Sequence, residues 1–177
     1  MSKKIIITGG IGYIGTELCK IYSGISWNNE ILVIDNRFIS ERVNQLRNWN
    51  IDFIQGDILD KDFINRYCKD ADIVHHLAGI TKVPRVESES DDKINNEIKL
   101  IAEQGTQNIL DAIPNNCKII LPSTHVVYEG INEVKKGILE NEATSPVLSY
   151  AKSKDYNEKQ LKNSGKNYVI LRLGSVY

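Results

Sequence analysis

Short apolar, β-branched runs alternate along this chain with longer stretches in which apolar positions recur every three to four residues. The short runs predict strands near Lys4–Thr8, Glu30–Asp35, Asp52–Gln55, Ile73–Leu77, Lys118–Leu121 and Tyr168–Arg172. The stretches between them predict helices near Gly12–Tyr22, Ser40–Asn48, Lys61–Cys68, Asp92–Ala112 and Leu148–Asn163. Regular alternation of this kind implies an α/β fold with a parallel sheet. Right-handed crossovers then give a doubly wound sheet of order 3-2-1-4-5-6 with helices on both faces. A ligand of such a sheet lies beyond the carboxyl ends of the strands.

The first of those ends carries Thr8-Gly9-Gly10-Ile11-Gly12-Tyr13-Ile14-Gly15, between an apolar strand and an amphipathic helix. That is the context in which a G-x-G-x-x-G turn binds a dinucleotide, as in the Rossmann fold. Gly10 is expected to make the tight turn, Gly12 to let the backbone approach a pyrophosphate, and Gly15 to let the helix pack closely. The pyrophosphate would sit on unpaired N–H groups at the positive end of the helix. Asp35 closes the second strand twenty residues past Gly15. A carboxylate there accepts from the adenosine ribose of NAD and repels the 2′-phosphate of NADP.

Composition narrows the classes of ligand. With 22 Lys+Arg against 23 Asp+Glu the chain has no basic footprint for nucleic acid or an acidic membrane surface. A small molecule is the better default. The apolar run after Lys3 and Lys4 is too short for a signal peptide or a membrane span. The three cysteines, Cys19, Cys68 and Cys117, stand far apart without metal-ligand spacing, so free buried thiols in a cytoplasmic protein and no metal site are expected. The 177 residues are enough for one domain.

Other strand ends hold further candidates. Asp57 follows the third strand where an adenine edge would lie, while Asp60 is the better cap for the next helix. His75 and His76 close the fourth strand and read as packing residues, and Leu77-Ala78-Gly79 follow with small side chains that permit close approach of a cofactor. The polar segment Thr81–Asp92 reads as a solvated loop on the ligand side. The fifth strand delivers Thr124 to the same edge, where a threonine can equally bond the local backbone. After a long loop from Glu129 to about Val147, Tyr150 and Lys154 stand four apart on one helical face. An ammonium beside a phenol is expected to lower the tyrosine pKa and make it a general base.

Thr8-Gly9-x-x-Gly12-x-x-Gly15, Asp35, Gly56-Asp57-Ile58, His76-Leu77-Ala78-Gly79, Ser123-Thr124-x-x-Val127-Tyr128, Pro146-x-x-x-Tyr150-x-x-Ser153-Lys154 and Leu171-Arg172-Leu173-x-x-Val176-Tyr177 occur in order over the whole chain. Together they resemble the extended short-chain dehydrogenase/reductase family, and within it the NAD-dependent sugar-nucleotide epimerases and dehydratases. The resemblance implies an NAD site formed by Gly9, Gly10, Gly12, Tyr13, Ile14, Gly15, Asp35, Asn36, Asp57, Ile58, Leu77, Ala78, Gly79, Tyr150 and Lys154. It implies that Tyr150 takes a proton from a sugar hydroxyl, that Thr124 bonds the reacting oxygen, and that Lys154 holds the nicotinamide ribose. It also implies a nucleotide-sugar substrate, UDP-linked, and a homodimer packed through the helices near Asp92–Ala112 and Leu148–Asn163.

His125 and Val126 stand where dehydratases of that family carry Asp-Glu, so a 4-epimerase is favoured by subtraction. The alternatives are a dehydratase, a dehydrogenase that releases NADH, and a non-catalytic NAD(H)-binding sensor. Ala102 and Ser175 replace asparagines usual in the family. By that resemblance the chain is expected to correspond to the family's cofactor domain, residues 1–177, without the usual C-terminal substrate domain.

Overall fold

The structure is a computed structural model and describes residues 2–25, 28–81, 92–132 and 137–176. Six parallel strands form one sheet in the order β3-β2-β1-β4-β5-β6. They are β1 Lys4–Thr8, β2 Glu30–Asp35, β3 Asp52–Gln55, β4 Ile73–His76, β5 Lys118–Thr124 and β6 Asn167–Leu173. The order expected from right-handed crossovers is the one observed. The helices are α1 Tyr13–Ser23, α2 Ser40–Asn48, α3 Lys61–Cys68, α4 Asp92–Leu100, α5 Thr106–Ala112 and α6 Ser149–Asn163.

Continuous apolar runs in the strands follow from burial on both faces. Ile5, Ile7 and Val33 point into a cluster with Ile11, Cys19, Leu46 and Ile51, under α1 and α2. Ile6, Leu32 and Ile34 point the other way, into a larger cluster with Ile64, Ile109, Ile119 and Leu161, under α3, α5 and α6. Each such isoleucine, fully out of water, contributes about 1.5–3 kcal/mol. The three cysteines are free and buried. Burial pushes the Cys19 and Cys68 thiols up to about 12.

Two expectations need correction. β5 does not end at Leu121 but runs on through Pro122 to Thr124, paired with β6 as far as Thr124↔Leu173. Its pairing with β4 stops at Ile120, so the missing N–H of Pro122 removes no ladder bond on that side. The single helix expected over Asp92–Ala112 is three pieces, because a π-turn at Ile101–Gly105 separates α4 from α5. Such a turn frees carbonyls from the helical ladder, and α6 captures two of them. Asn157 Nδ2 donates to the Ala102 carbonyl at 2.7 Å and Gln160 Nε2 to that of Glu103 at 2.9 Å. Gly105 ends the turn where any Cβ would lie 2.4 Å from Ile58 Cδ1. The loop expected at Thr81–Asp92 falls, between 82 and 91, outside the described residues, as does Tyr177. Among the described residues no helix is long and apolar enough to cross a membrane.

Candidate active site

The glycine turn leaves β1 at Gly9, which has φ +70°, and a Cβ there would lie 2.7 Å from the Ala78 nitrogen. The tight turn expected at Gly10 is therefore made by Gly9, and Gly10 instead packs on Val33, whose Cγ1 would be 2.6 Å from a Cβ. Gly15 sits against Gly10, so that α1 closes onto the turn. Gly12 is the N-cap residue of α1, and no side chain caps that helix end. Tyr13 and Ile14 follow, both exposed. A helix start without a side-chain cap, behind a turn with no room for a Cβ at Gly9, Gly10 or Gly15, fits a dinucleotide pyrophosphate.

Asp35 is buried at the end of β2 and accepts from the Arg37 guanidinium, Nε to Oδ1 at 3.0 Å and Nη2 to Oδ2 at 3.1 Å. Arg42 reaches across from α2 to the carbonyl of Ile11 in the glycine turn. Asp57 Oδ1 accepts from the Leu59 N–H at 2.9 Å, and its other oxygen is 3.5 Å from Asn36 Nδ2. The α3 cap is Asp60, which accepts from the Phe63 N–H. The Ile58 side chain is buried against Gly105, and its carbonyl accepts from Asn108. Arg37 and Arg42 were not singled out by sequence; the signal for Arg37 was its place two residues past Asp35.

The histidines of β4 are structural. His76 Nδ1 lies 2.8 Å from Thr8 Oγ1 and its Nε2 3.0 Å from Thr106 Oγ1, and His75 Nε2 lies 2.7 Å from the Tyr22 hydroxyl. Burial pulls His75 down to about 4, and burial with the Lys154 ammonium pulls His76 down to about 3. Both stay neutral in the folded chain where an unfolded imidazole, near 6.5, takes a proton. The unfolded state thus binds more protons between about pH 6.5 and those folded values, and stability falls as pH drops through that window. Urea unfolding at pH 7.5 and pH 5 should differ by roughly 2 kcal/mol for each histidine. Equal stabilities would mean that both imidazoles titrate normally.

The buried face of α6 is polar, and each group on it has a partner. Lys154 Nζ donates to the Pro122 carbonyl at 3.0 Å, and Thr144 Oγ1 donates to Asp155 at 2.6 Å. Asn157 holds the π-turn and also donates to Thr106 Oγ1 at 2.9 Å. Glu158 accepts from Ser123 Oγ at 2.7 Å and from Arg172 Nη2 at 2.6 Å. Burial would raise its carboxyl, yet Arg172, Ser123 and Lys162 hold it at about 2. Glu129 takes the N–H groups of Val147 and Leu148 at 2.8 and 2.6 Å, which anchors the long loop at the start of α6. Glu158 extends the four-residue spacing of Tyr150 and Lys154, a signal legible in sequence and not used there.

These bonds bring three candidates to one edge. Thr124 ends β5, two residues past the carbonyl that Lys154 holds, and its Oγ1 accepts from the Val126 N–H at 3.3 Å, the local bond open to any such threonine. Lys154 Nζ stands 6.0 Å from the centre of the Tyr150 ring, and a Cβ on Gly79 would be 3.9 Å from it. Ala78, Gly79, Ala102, Ser153 and Lys154 line a small cleft there. The expected lowering of the Tyr150 pKa is not observed, because burial raises it. Burial also lowers Lys154, to about 8.

Comparison with known proteins places this geometry. Residues 6–173 match the 3-beta hydroxysteroid dehydrogenase/isomerase family. The chain is 29% identical over 198 residues to a dTDP-D-glucose 4,6-dehydratase of Dictyostelium discoideum, across 99% of this chain and 44% of the relative. It is 31% identical over 144 residues to a CDP-paratose 2-epimerase of Salmonella typhi, across 75% of this chain and 40% of the relative. It therefore spans less than half the length of either relative. The crystal structure of a UDP-glucose 4-epimerase from Brucella ovis in complex with NAD superposes with TM-score 0.77 at 27% identity, over 97% of this chain and 51% of that one.

Proposed function

The chain belongs to the 3-beta hydroxysteroid dehydrogenase/isomerase family, and from that premise we propose that it is the NAD-binding part of a sugar-nucleotide epimerase. The observation that carries the proposal is the meeting of Tyr150, Lys154 and the end of β5 beside the cleft at Ala78 and Gly79. The relatives act on nucleotide sugars by name, and the superposed epimerase binds NAD.

The glycine turn and the start of α1 would hold the pyrophosphate, and the Asp35–Arg37 pair would lie at the adenosine ribose. NAD supplies a hydride acceptor that can return the hydride to the other face of the sugar. Tyr150 removes the proton from the sugar hydroxyl as its carbon is oxidised, and gives it back on reduction. Thr124 keeps its own O–H to donate to the reacting oxygen. Lys154, charged below about pH 8, holds the nicotinamide ribose and favours the Tyr150 phenolate against the effect of burial. The 4-epimerase assignment within this class rests on His125 and Val126, which offer no carboxylate to expel water next to Thr124.

The test is denaturing release of bound nucleotide, identified by mass, followed by incubation of the native protein with UDP-glucose, UDP-galactose and their N-acetyl forms. Release of NAD is the expected result, and inversion of one sugar without net NADH would carry the epimerase reading. Accumulating NADH would identify a dehydrogenase, and water loss a dehydratase. Bound NAD with no sugar converted would show a cofactor domain alone, whether part of an enzyme or a cofactor-binding sensor.

A further inference from the structure

We infer that Arg37, and not Asp35 alone, sets selectivity at the adenosine ribose, and that this site takes a 2′-phosphorylated dinucleotide as well as NAD. The inference rests on the proposed dinucleotide site. A bare carboxylate at the end of β2 selects NAD because it accepts from the 2′-hydroxyl and repels a 2′-phosphate. Here the carboxylate is not bare. Both of its oxygens accept from the Arg37 guanidinium, and Oδ1 also accepts from the Arg37 N–H at 3.1 Å. Asp35 is buried with 3% of its side chain exposed, whereas 56% of the Arg37 side chain is open to solvent. The pair is neutral as a unit, with its positive member outermost.

The guanidinium also stands at the cofactor cradle. Its Nη2 would lie 3.9 Å from a Cβ on Gly12. Two of its five N–H donors are spent on Asp35, which leaves the others for an anion. The fork geometry of arginine suits a phosphate, and an arginine close to the strand end is how such sites accommodate a 2′-phosphate. A second guanidinium, Arg42, is fixed by its bond to the Ile11 carbonyl, so the turn has positive charge on this flank as well. Asn36 Nδ2 lies 3.5 Å from Asp57 Oδ2, and the Asn36 carbonyl is taken by Gln55 at 2.9 Å.

The experiment is titration of the purified chain with NADH and with NADPH, read by their fluorescence, at low and high salt. Wild type should bind both with dissociation constants within about tenfold, and salt should weaken NADPH more, because an exposed arginine–phosphate contact is screened. Arg37→Gln should weaken NADPH on the order of ten- to a hundredfold, the worth of a charged hydrogen bond, while NADH changes only severalfold. Asp35→Asn, which keeps the arginine, should shift the ratio toward NADPH, and it serves where loss of Arg37 unfolds the chain.

Wild type that binds NADH with NADPH a hundredfold weaker, or an Arg37→Gln protein that loses both alike, overturns the inference and leaves the dinucleotide site standing. Failure of wild type to bind either nucleotide overturns the dinucleotide site itself.

Discussion

Tyr150→Phe is expected to abolish sugar conversion, with a loss of about 10² to 10⁴ in turnover, and to leave NADH affinity within severalfold of wild type. The substitution removes one oxygen and keeps the ring that stands 6.0 Å from Lys154. Burial raises the tyrosine pKa in this chain, opposite to the direction in which a neighbouring ammonium would move it. The phenol is then a group whose removal touches the proton transfer and little else. Steady-state turnover and nucleotide titration on the same preparations check the split. Turnover kept within severalfold would exclude Tyr150 as the base, and equal loss of nucleotide binding would make it a structural residue.

Glu158→Leu is expected to cost about 3–5 kcal/mol of folding stability, the usual consequence of removing one partner of a buried ion pair. Arg172 has 11% and Glu158 only 1% of its side chain exposed, and the guanidinium bonds both carboxylate oxygens. Left alone, Arg172 would keep its bonds to the Tyr128 hydroxyl and the Glu140 carbonyl, yet its charge would be unpaired. The pair joins α6 to β6, and through Ser123 to β5, so it holds the helix that carries Tyr150 and Lys154 against the strand that carries Thr124. Arg172→Met should cost a similar amount. The double variant, with two apolar groups facing each other, should recover much of the loss. Urea midpoints of the four proteins measure the coupling, and additive losses would show that the two charges act independently.

The elements that the sequence made legible are those coded by local period. β-branched runs announced the strands, the glycine spacing announced the turn before α1, and alternation of strands with helices was enough to order the sheet. Asp35 could be placed at a strand end, and Tyr150 with Lys154 on one helical face, because those placements need only the rise of a strand and the pitch of a helix. The π-turn was not legible. Within Ile101–Gly105 only Gly105 departs from a helical pattern, and what sustains the turn is a pair of side chains from Asn157 and Gln160, more than fifty residues away.

The sequence by itself determined the topology, the edge of the sheet at which chemistry is placed, and the residue types brought to that edge. Only the tertiary structure decided which group meets which. Gly9 rather than Gly10 takes the positive φ, because Ala78 arrives from β4 against it. Asp35 is shared with Arg37, and His76 is locked between Thr8 and Thr106. Tyr150 gains a higher pKa from burial rather than a lower one from its lysine neighbour, whose ammonium turns to the Pro122 carbonyl. Spacing along a chain sets which face a side chain occupies. Its charge state and its partner depend on desolvation and on contacts between distant segments, and those exist only once the sheet and its helices have closed around them.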